Sequence, residues 1–163
     1  MAYLLDANVF IEGKKRYYGF DICPGFWDWI ANEDAAGRAK SIEAVRDELL
    51  EREDDLTAWA RARPAGFFLR PDAPTLPALA SLAEWVRRQR YRPAAITEFL
   101  ESADYYLIAY AMAHGHSVVT HEVPSDAVKR VKIPEPCIAH GVEVISPFVM
   151  LRRAAAKFVL SPS

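Results

Sequence analysis

Cysteine is scarce in this chain of 163 residues, with Cys23 and Cys137 alone. That excludes a disulfide-stapled scaffold and fits two free thiols in a reducing compartment. There is no Gly-rich phosphate loop, which argues against a nucleotide-driven enzyme. Charge of one sign is also lacking: 20 Lys and Arg against 22 Asp and Glu leave a net −2, so any nucleic-acid surface must be local. His114, His116, His121 and His140 lack the spacing of a zinc site. No apolar run reaches the roughly 18 residues of a membrane span, and no charged stretch followed by an apolar one opens the chain. The expectation is a cytoplasmic protein without a membrane segment. No repeat or low-complexity stretch divides the sequence, so one domain over 1–163 is expected.

What is present is a globular composition, 52% apolar and 26% charged. Short apolar runs alternate with longer helical patterns, the signature of βαβ units around a parallel sheet. Tyr3 to Asp6 reads as the first strand. Pro24 opens a helix through Phe26, Trp27 and Ile30 that ends near Gly37. Ser41 reads as the N-cap of a helix carrying Val45, Glu48, Leu49 and Leu56 to Trp59. Phe67 to Leu69 is a second or edge strand, and Leu79 to Arg90 a helix that Pro93 separates from a short one through Ile96 and Phe99. Ala103 to His114 is an apolar helix ended by Gly115. Ser117 to Thr120 and Val142 to Ile145 are strands, and Pro147 opens a closing helix through Met150, Leu151 and Phe158. Trp27, Trp29, Trp59 and Trp85 fall on apolar helical stripes, which suits core or dimer packing.

Four acids occupy strand ends or the helices that follow strands: Asp6, Glu48, Asp104 and Glu122. The carboxyl end of a parallel strand opens into the ligand crevice, and hard divalent cations take oxygen ligands. The arrangement therefore points to a metal-dependent phosphodiester-cleaving enzyme. Each acid has a plainer use. Asp6 could cap the next helix, as could Asn8, which could instead orient Asp6. Glu48 could be a solvated helix acid, although it flanks the buried stripe of Val45 and Leu49, as Glu51 does not. Asp104 stands in the first turn of an apolar helix, where the dipole is expected to lower its pKa and keep it ionised. Glu122 follows the strand Ser117 to Thr120 as Asp6 follows its own.

Leu5-Asp6-Ala7-Asn8-Val9-Phe10-Ile11, the helix from Val45 to Leu49, Ala103-Asp104 with Leu107-Ile108-Ala109, and Val119-Thr120-His121-Glu122 together resemble the PIN-domain nucleases, on the side of the VapC-like ribonucleases. The likeness covers most of the chain. It implies a three-layer α/β/α sandwich with parallel strand order 3-2-1-4-5, which gathers Asp6, Glu48, Asp104 and Glu122 around Mg²⁺ or Mn²⁺ for endonucleolytic cleavage of RNA. It also implies the toxin of a toxin-antitoxin pair, with an antitoxin protein as partner and a homodimer as assembly. Three features depart from the pattern: Ala7 stands where a small hydroxyl residue is usual, Thr-His-Glu replaces the commoner Thr-Arg-Asp, and Tyr17 to Trp29 is unusually aromatic. They suit a less characterised branch.

Lys14-Lys15-Arg16-Tyr17-Tyr18 sets three cations beside two aromatics shortly after the first acid, a combination able to hold phosphates and stack a base. Asn8 and Thr120, beside the acids, join Lys14, Lys15 and Arg16 as candidate substrate contacts. Arg87-Arg88-Gln89-Arg90-Tyr91-Arg92 is similar, but cations also suit a helix C-terminus. His121 adjoins a candidate acid and could touch a phosphate. Two rivals stand beside the nuclease. A response-regulator receiver needs an acidic pair after the first strand and a central phosphoacceptor Asp, which Asp6-Ala7-Asn8 fits poorly. A catalytically inactive PIN-like module would bind RNA or a protein instead.

Overall fold

Tyr3-Leu4-Leu5 forms the central strand because both of its sides are occupied. In the computed structural model, which describes residues 1–160, β1 (Tyr3–Leu5) pairs in parallel with β2 (Ala39–Ile42) through Leu4 opposite Lys40. On its other side it pairs with β4 (Ser117–Val119) through Leu5 opposite Val119. β3 (Phe68–Leu69) flanks β2, and β5 (Val144–Ile145) flanks β4. The described sheet is all parallel in the order β3-β2-β1-β4-β5. With helices in each crossover, the molecule is an α/β/α sandwich, as the alternating pattern implies.

Between β1 and β2 run α1 (Ala7–Glu12), a π turn over Gly13–Tyr17, and α2 (Pro24–Ala35). The π turn continues α1 and is closed by Tyr18 N–H donating to Gly13 C=O at 2.6 Å, five residues back. α3 (Glu43–Leu50) and α4 (Asp55–Arg61) join β2 to β3. The long crossover to β4 holds α5 (Thr75–Arg88), α6 (Pro93–Leu100) and α7 (Ala103–His114). α7 lies against β2 and β4, with α5 and α3 beside it, and buries Leu107, Ile108, Ala109 and Ala111. Gly115 stops it because the chain turns there at φ 69°, a left-handed conformation that costs glycine little. α8 (Pro134–Ala139) precedes β5, and α9 (Pro147–Arg153) closes the fold behind the Ser146 cap. One apolar cluster runs from Leu4 and Leu5 through Phe10, Phe26, Phe67 and Leu107 to Met150.

Several expected boundaries are corrected. Ser41 is not a helix cap. It lies inside β2, where its N–H donates to Phe67 C=O and its hydroxyl to Leu5 C=O at 2.7 Å. The helix expected from Ser41 to Trp59 is two helices, broken where Asp54 takes the Thr57 N–H and caps α4. Phe158 lies past the end of α9. Ala155 at φ 52° turns the chain so that the Phe158 ring meets Tyr18 and Phe26, with centroids at 5.9 and 6.1 Å. α8 has no counterpart in the sequence reading. Cys23 and Cys137 are free, and Trp27 is buried with its indole N–H on Tyr18 C=O. Among the described residues no helix is long and apolar enough to cross a membrane.

The α3–α4 break depends on one hydroxyl. Thr57 Oγ1, fully buried, lies 2.6 Å from Arg52 C=O and 3.1 Å from Leu49 C=O. Thr57→Val keeps the shape and removes the donor, so unfolding free energy falls by about 1–3 kcal/mol. Urea denaturation reads this as a lower midpoint at constant m-value.

Candidate metal centre

The sheet order reverses at β1, which puts the crevice of the fold beyond the carboxyl end of that strand. Asp6 follows β1 directly and is 2% exposed. Its N–H donates to Val119 C=O at 3.0 Å, and Thr120 N–H continues the ladder to Ile145 C=O at 2.9 Å. The two residues are therefore neighbours at the sheet's end, and the buried Thr120 hydroxyl donates to Asp6 Oδ2 at 3.0 Å. Thr120 Oγ1 in turn accepts the Glu122 N–H at 3.1 Å. Asp6 begins α1 without its side chain capping it; the carboxylate is turned to Thr120 instead. The hydroxyl of Thr120, not the amide of Asn8, orients it.

Asp104 enters from the first turn of α7 and Glu48 from the last turn of α3. Asp6 feels the charges of the other three, and Asp104 those of Glu122 and Glu48. Burial raises the Asp6 pKa well above the carboxylate range, then Asp104, against the Thr120 hydrogen bond, with Glu122 and Glu48 adding smaller pushes. Asp104 is pushed up to about 7 by burial first, then by Glu122 and Glu48, with Arg130 opposing. This corrects the expectation that the helix dipole keeps its pKa low, because desolvation among like charges outweighs it. Glu48 is exposed as a residue, yet desolvation is still the first cause that raises its carboxyl, followed by Glu51, against Arg52 and Arg130.

Glu122 carries the clearest sign of incompleteness. Both of its carboxylate oxygens are buried and neither has a hydrogen-bond partner. Burial raises its pKa, while Arg130, the Ile133 N–H and Lys132 pull it down without meeting hydrogen-bond geometry at the oxygens. Buried polar atoms are normally paired, and a carboxylate with both oxygens unpaired is one that a cation would satisfy. Among the described residues, no three His, Cys, Asp or Glu side chains close to a ready-made cage. Mg²⁺ does not need one, since it keeps several waters and takes one or two carboxylates together with substrate phosphate. Asp6, Glu48, Asp104 and Glu122 are the donors available, and their oxygen chemistry fits Mg²⁺ or Mn²⁺.

The candidate substrate contacts separate. Lys14 is tied to Asp54 at 2.9 Å, with Asp55 at 3.9 Å, an ion pair that helps hold Asp54 down to about 2. It is a staple between the π turn and α4. Arg16 is exposed and pairs with Glu12 at 3.0 Å, and Lys15 is exposed. In the second basic run, Arg88 pairs with Glu84 and Arg92 begins α6. His121 lies beside Glu122, its pKa lowered by burial against Glu12. His114 ends α7 and His116 lies just past it, at the far end of a helix about 18 Å long. Besides Arg52 near Glu48, the cations that reach the acids are Arg130 and Lys132, from the irregular stretch between β4 and α8. That stretch is held by Arg92 N–H on Val128 C=O at 2.9 Å. Arg130 lines a small cavity with Ser102 and Asp104. The run Lys129-Arg130-Val131-Lys132 was the available signal for these residues.

Raised carboxyls set the sign of the pH dependence. Between 3.8, where an ordinary Asp titrates, and about 7 the folded chain holds more protons on Asp104 than the unfolded chain does. Stability without divalent cation therefore falls as pH rises through that window. In EDTA the melting temperature of the wild type declines from about pH 5 to about pH 8, and Asp104→Asn flattens the decline and melts higher at the upper end. Differential scanning calorimetry of the two proteins decides it; parallel profiles would show that Asp104 is not in a repulsive cluster.

No curated protein matches the sequence. Residues 3–158 match the family described as "Domain of unknown function (DUF4411)", and the chain belongs to that family.

Proposed function

We propose that this protein is a Mg²⁺- or Mn²⁺-dependent endoribonuclease of the PIN type and the toxin of a toxin-antitoxin pair, acting in the cytoplasm. The observation that supports the nuclease reading is that Asp6, at the switch point of a 3-2-1-4-5 sheet, feels the charges of Asp104, Glu122 and Glu48, with both Glu122 oxygens orphaned. The toxin role rests on the sequence resemblance. It implies an antitoxin protein and a second copy of the chain as partners.

Asp6, Glu48, Asp104 and Glu122 would hold the cation. When bound, Mg²⁺ supplies Lewis-acid stabilisation of charge on the phosphoryl group and lowers the pKa of water. The chain's own part is to position and to neutralise. Thr120 fixes the Asp6 carboxylate, Glu48 stands at the exposed rim, and Arg130 and Lys132 bring positive charge to a centre that would otherwise repel RNA phosphate. In-line attack of water at phosphorus with departure of the 3′-oxygen gives a 5′-phosphate and a 3′-hydroxyl.

Asp6→Asn and Asp104→Asn should each lower cleavage of an RNA substrate by a factor of about 100 or more. EDTA abolishes wild-type cleavage, and undiminished turnover by either variant would remove the carboxylates from the mechanism. A separate readout needs no substrate. Mg²⁺ at about 100 times its Kd adds about 2.7 kcal/mol and lifts the melting temperature by roughly 5–10 °C. Asp6→Asn shrinks that lift. A second reading, an inactive PIN-like module that binds RNA or protein, is favoured by the lack of a closed cage among the described acids. Retained RNA binding with no cleavage at any divalent cation would select it.

A further inference from the structure

β3 stands at one end of the sheet and pairs with β2 alone. Ser41 is opposite Phe68, and its N–H donates to Phe67 C=O at 3.0 Å. In a parallel ladder that pairing turns the N–H and C=O of Phe68 to the other side, away from β2. Among the described residues no strand stands there. The edge borders an open cavity of about 610 Å³, lined by Phe68 together with Arg46 from α3, Arg63 from behind α4 and Arg70 from behind β3. Glu43 and Asp47 share the same lining.

Two of the three guanidinium groups are uncommitted. Arg70 pairs with Glu43 at 3.0 Å. Arg63 lies over the Trp59 ring, 4.4 Å from its centre, and its Nε donates to Trp59 C=O at 3.1 Å. These contacts fix the plane of the group and leave its terminal nitrogens free for another acceptor. Arg46 and Arg63 are both half-buried, and among the described residues neither makes an ion pair. A guanidinium held in one plane and partly desolvated suits a carboxylate or a phosphate. The acids in the lining decide between them. A continuous phosphate backbone would run against Glu43 and Asp47, whereas an extended peptide spaces its side chains about 7 Å apart on each face and can set an acid on each free arginine. Its main chain also supplies the donor and acceptor that the outer side of Phe68 lacks, so backbone bonds give affinity and the arginines give specificity. Cations beside an edge discourage neutral and basic strands from pairing with it, which sharpens the preference.

We infer that the β3 edge docks an extended acidic segment of a protein partner, which adds to the sheet as a strand beside Phe68 and sets its carboxylates on Arg46 and Arg63. This goes beyond the nuclease reading and is independent of it, because none of Asp6, Glu48, Asp104 and Glu122 lines the cavity.

The test is a ¹H–¹⁵N NMR titration of the full chain in EDTA, with an acetylated and amidated octapeptide of alternating threonine and glutamate as the probe. The amides of Gly66, Phe68, Leu69 and Arg70 should shift with a Kd of about 1 mM or below, and exchange of the Phe68 amide with solvent should slow. Arg46→Gln and Arg63→Gln should each raise the Kd at least about fivefold while keeping the dispersion of the wild-type spectrum. Should Arg63→Gln lose its fold with the Trp59 contact, Arg46→Gln carries the comparison. A threonine-lysine octapeptide should leave these amides unmoved, as should the threonine-glutamate peptide methylated at every backbone nitrogen, which keeps the charges and removes the ladder donors. No shift at the β3 amides, or equal affinity for the methylated peptide, overturns the proposal. So does an oligouridylate decamer that binds the same amides as tightly as the acidic peptide, since it makes this a phosphate surface. RNA cleavage by Arg46→Gln at the wild-type rate, with acidic-peptide binding lost, would keep the two readings apart.

Discussion

One hydrogen bond, from the Thr120 hydroxyl to the buried Asp6 carboxylate, links the fold to everything proposed for it. A carboxylate that is 2% exposed costs stability whether it is charged and unpaired or protonated against its solution preference. Thr120 gives Asp6 a single neutral partner, enough to fix its direction and too little to neutralise it. Burial and the other three acids raise the Asp6 pKa against that bond. The protein thus holds charge in tension at the one place where its topology opens, and the orphaned oxygens of Glu122 belong to the same unrelieved cluster.

The tension is tolerable because the rest of the sheet is conventional. β1 is covered by β2 on one side and β4 on the other, and their register sets Asp6 and Thr120 side by side without any loop having to position them. α3 and α7 carry Glu48 and Asp104 beside buried stripes that already fix where each helix lies. The acids are therefore positioned by apolar packing, which a change of charge leaves intact. That is why carboxylate-to-amide substitutions are clean probes of this centre.

Much of this was legible in the sequence, and the failures have physical reasons. The strands at Tyr3 and Ser117, the helix from Ala103 to His114 and the four acids could be read because apolar runs and their acidic endings are local features. β2 could not. Ala39-Lys40-Ser41-Ile42 has little strand character of its own, and it is a strand because β1 and β3 pair with it on both sides. The raised pKa of Asp104 was also hidden, since the helix dipole is a local property, whereas its burial and the charges of Glu122 and Glu48 come from the fold. Arg130 and Lys132 sit in an irregular segment where no periodicity says which way a side chain faces. The partner of Lys14 was hidden too: proximity in sequence to Asp6 suggested a phosphate, and only the fold shows that Lys14 pairs with Asp54.

The π turn at Gly13–Tyr17 amounts to one residue more than a regular helix would use to cover the same distance. Each residue advances an α-helix by about 100°, so a chain shortened by one residue there would carry the Tyr17 ring roughly a quarter-turn away from His121. The stacking of Tyr17 on His121 thus depends on a local surplus of chain length, and a chain lacking that surplus would have to bring another side chain to the same place.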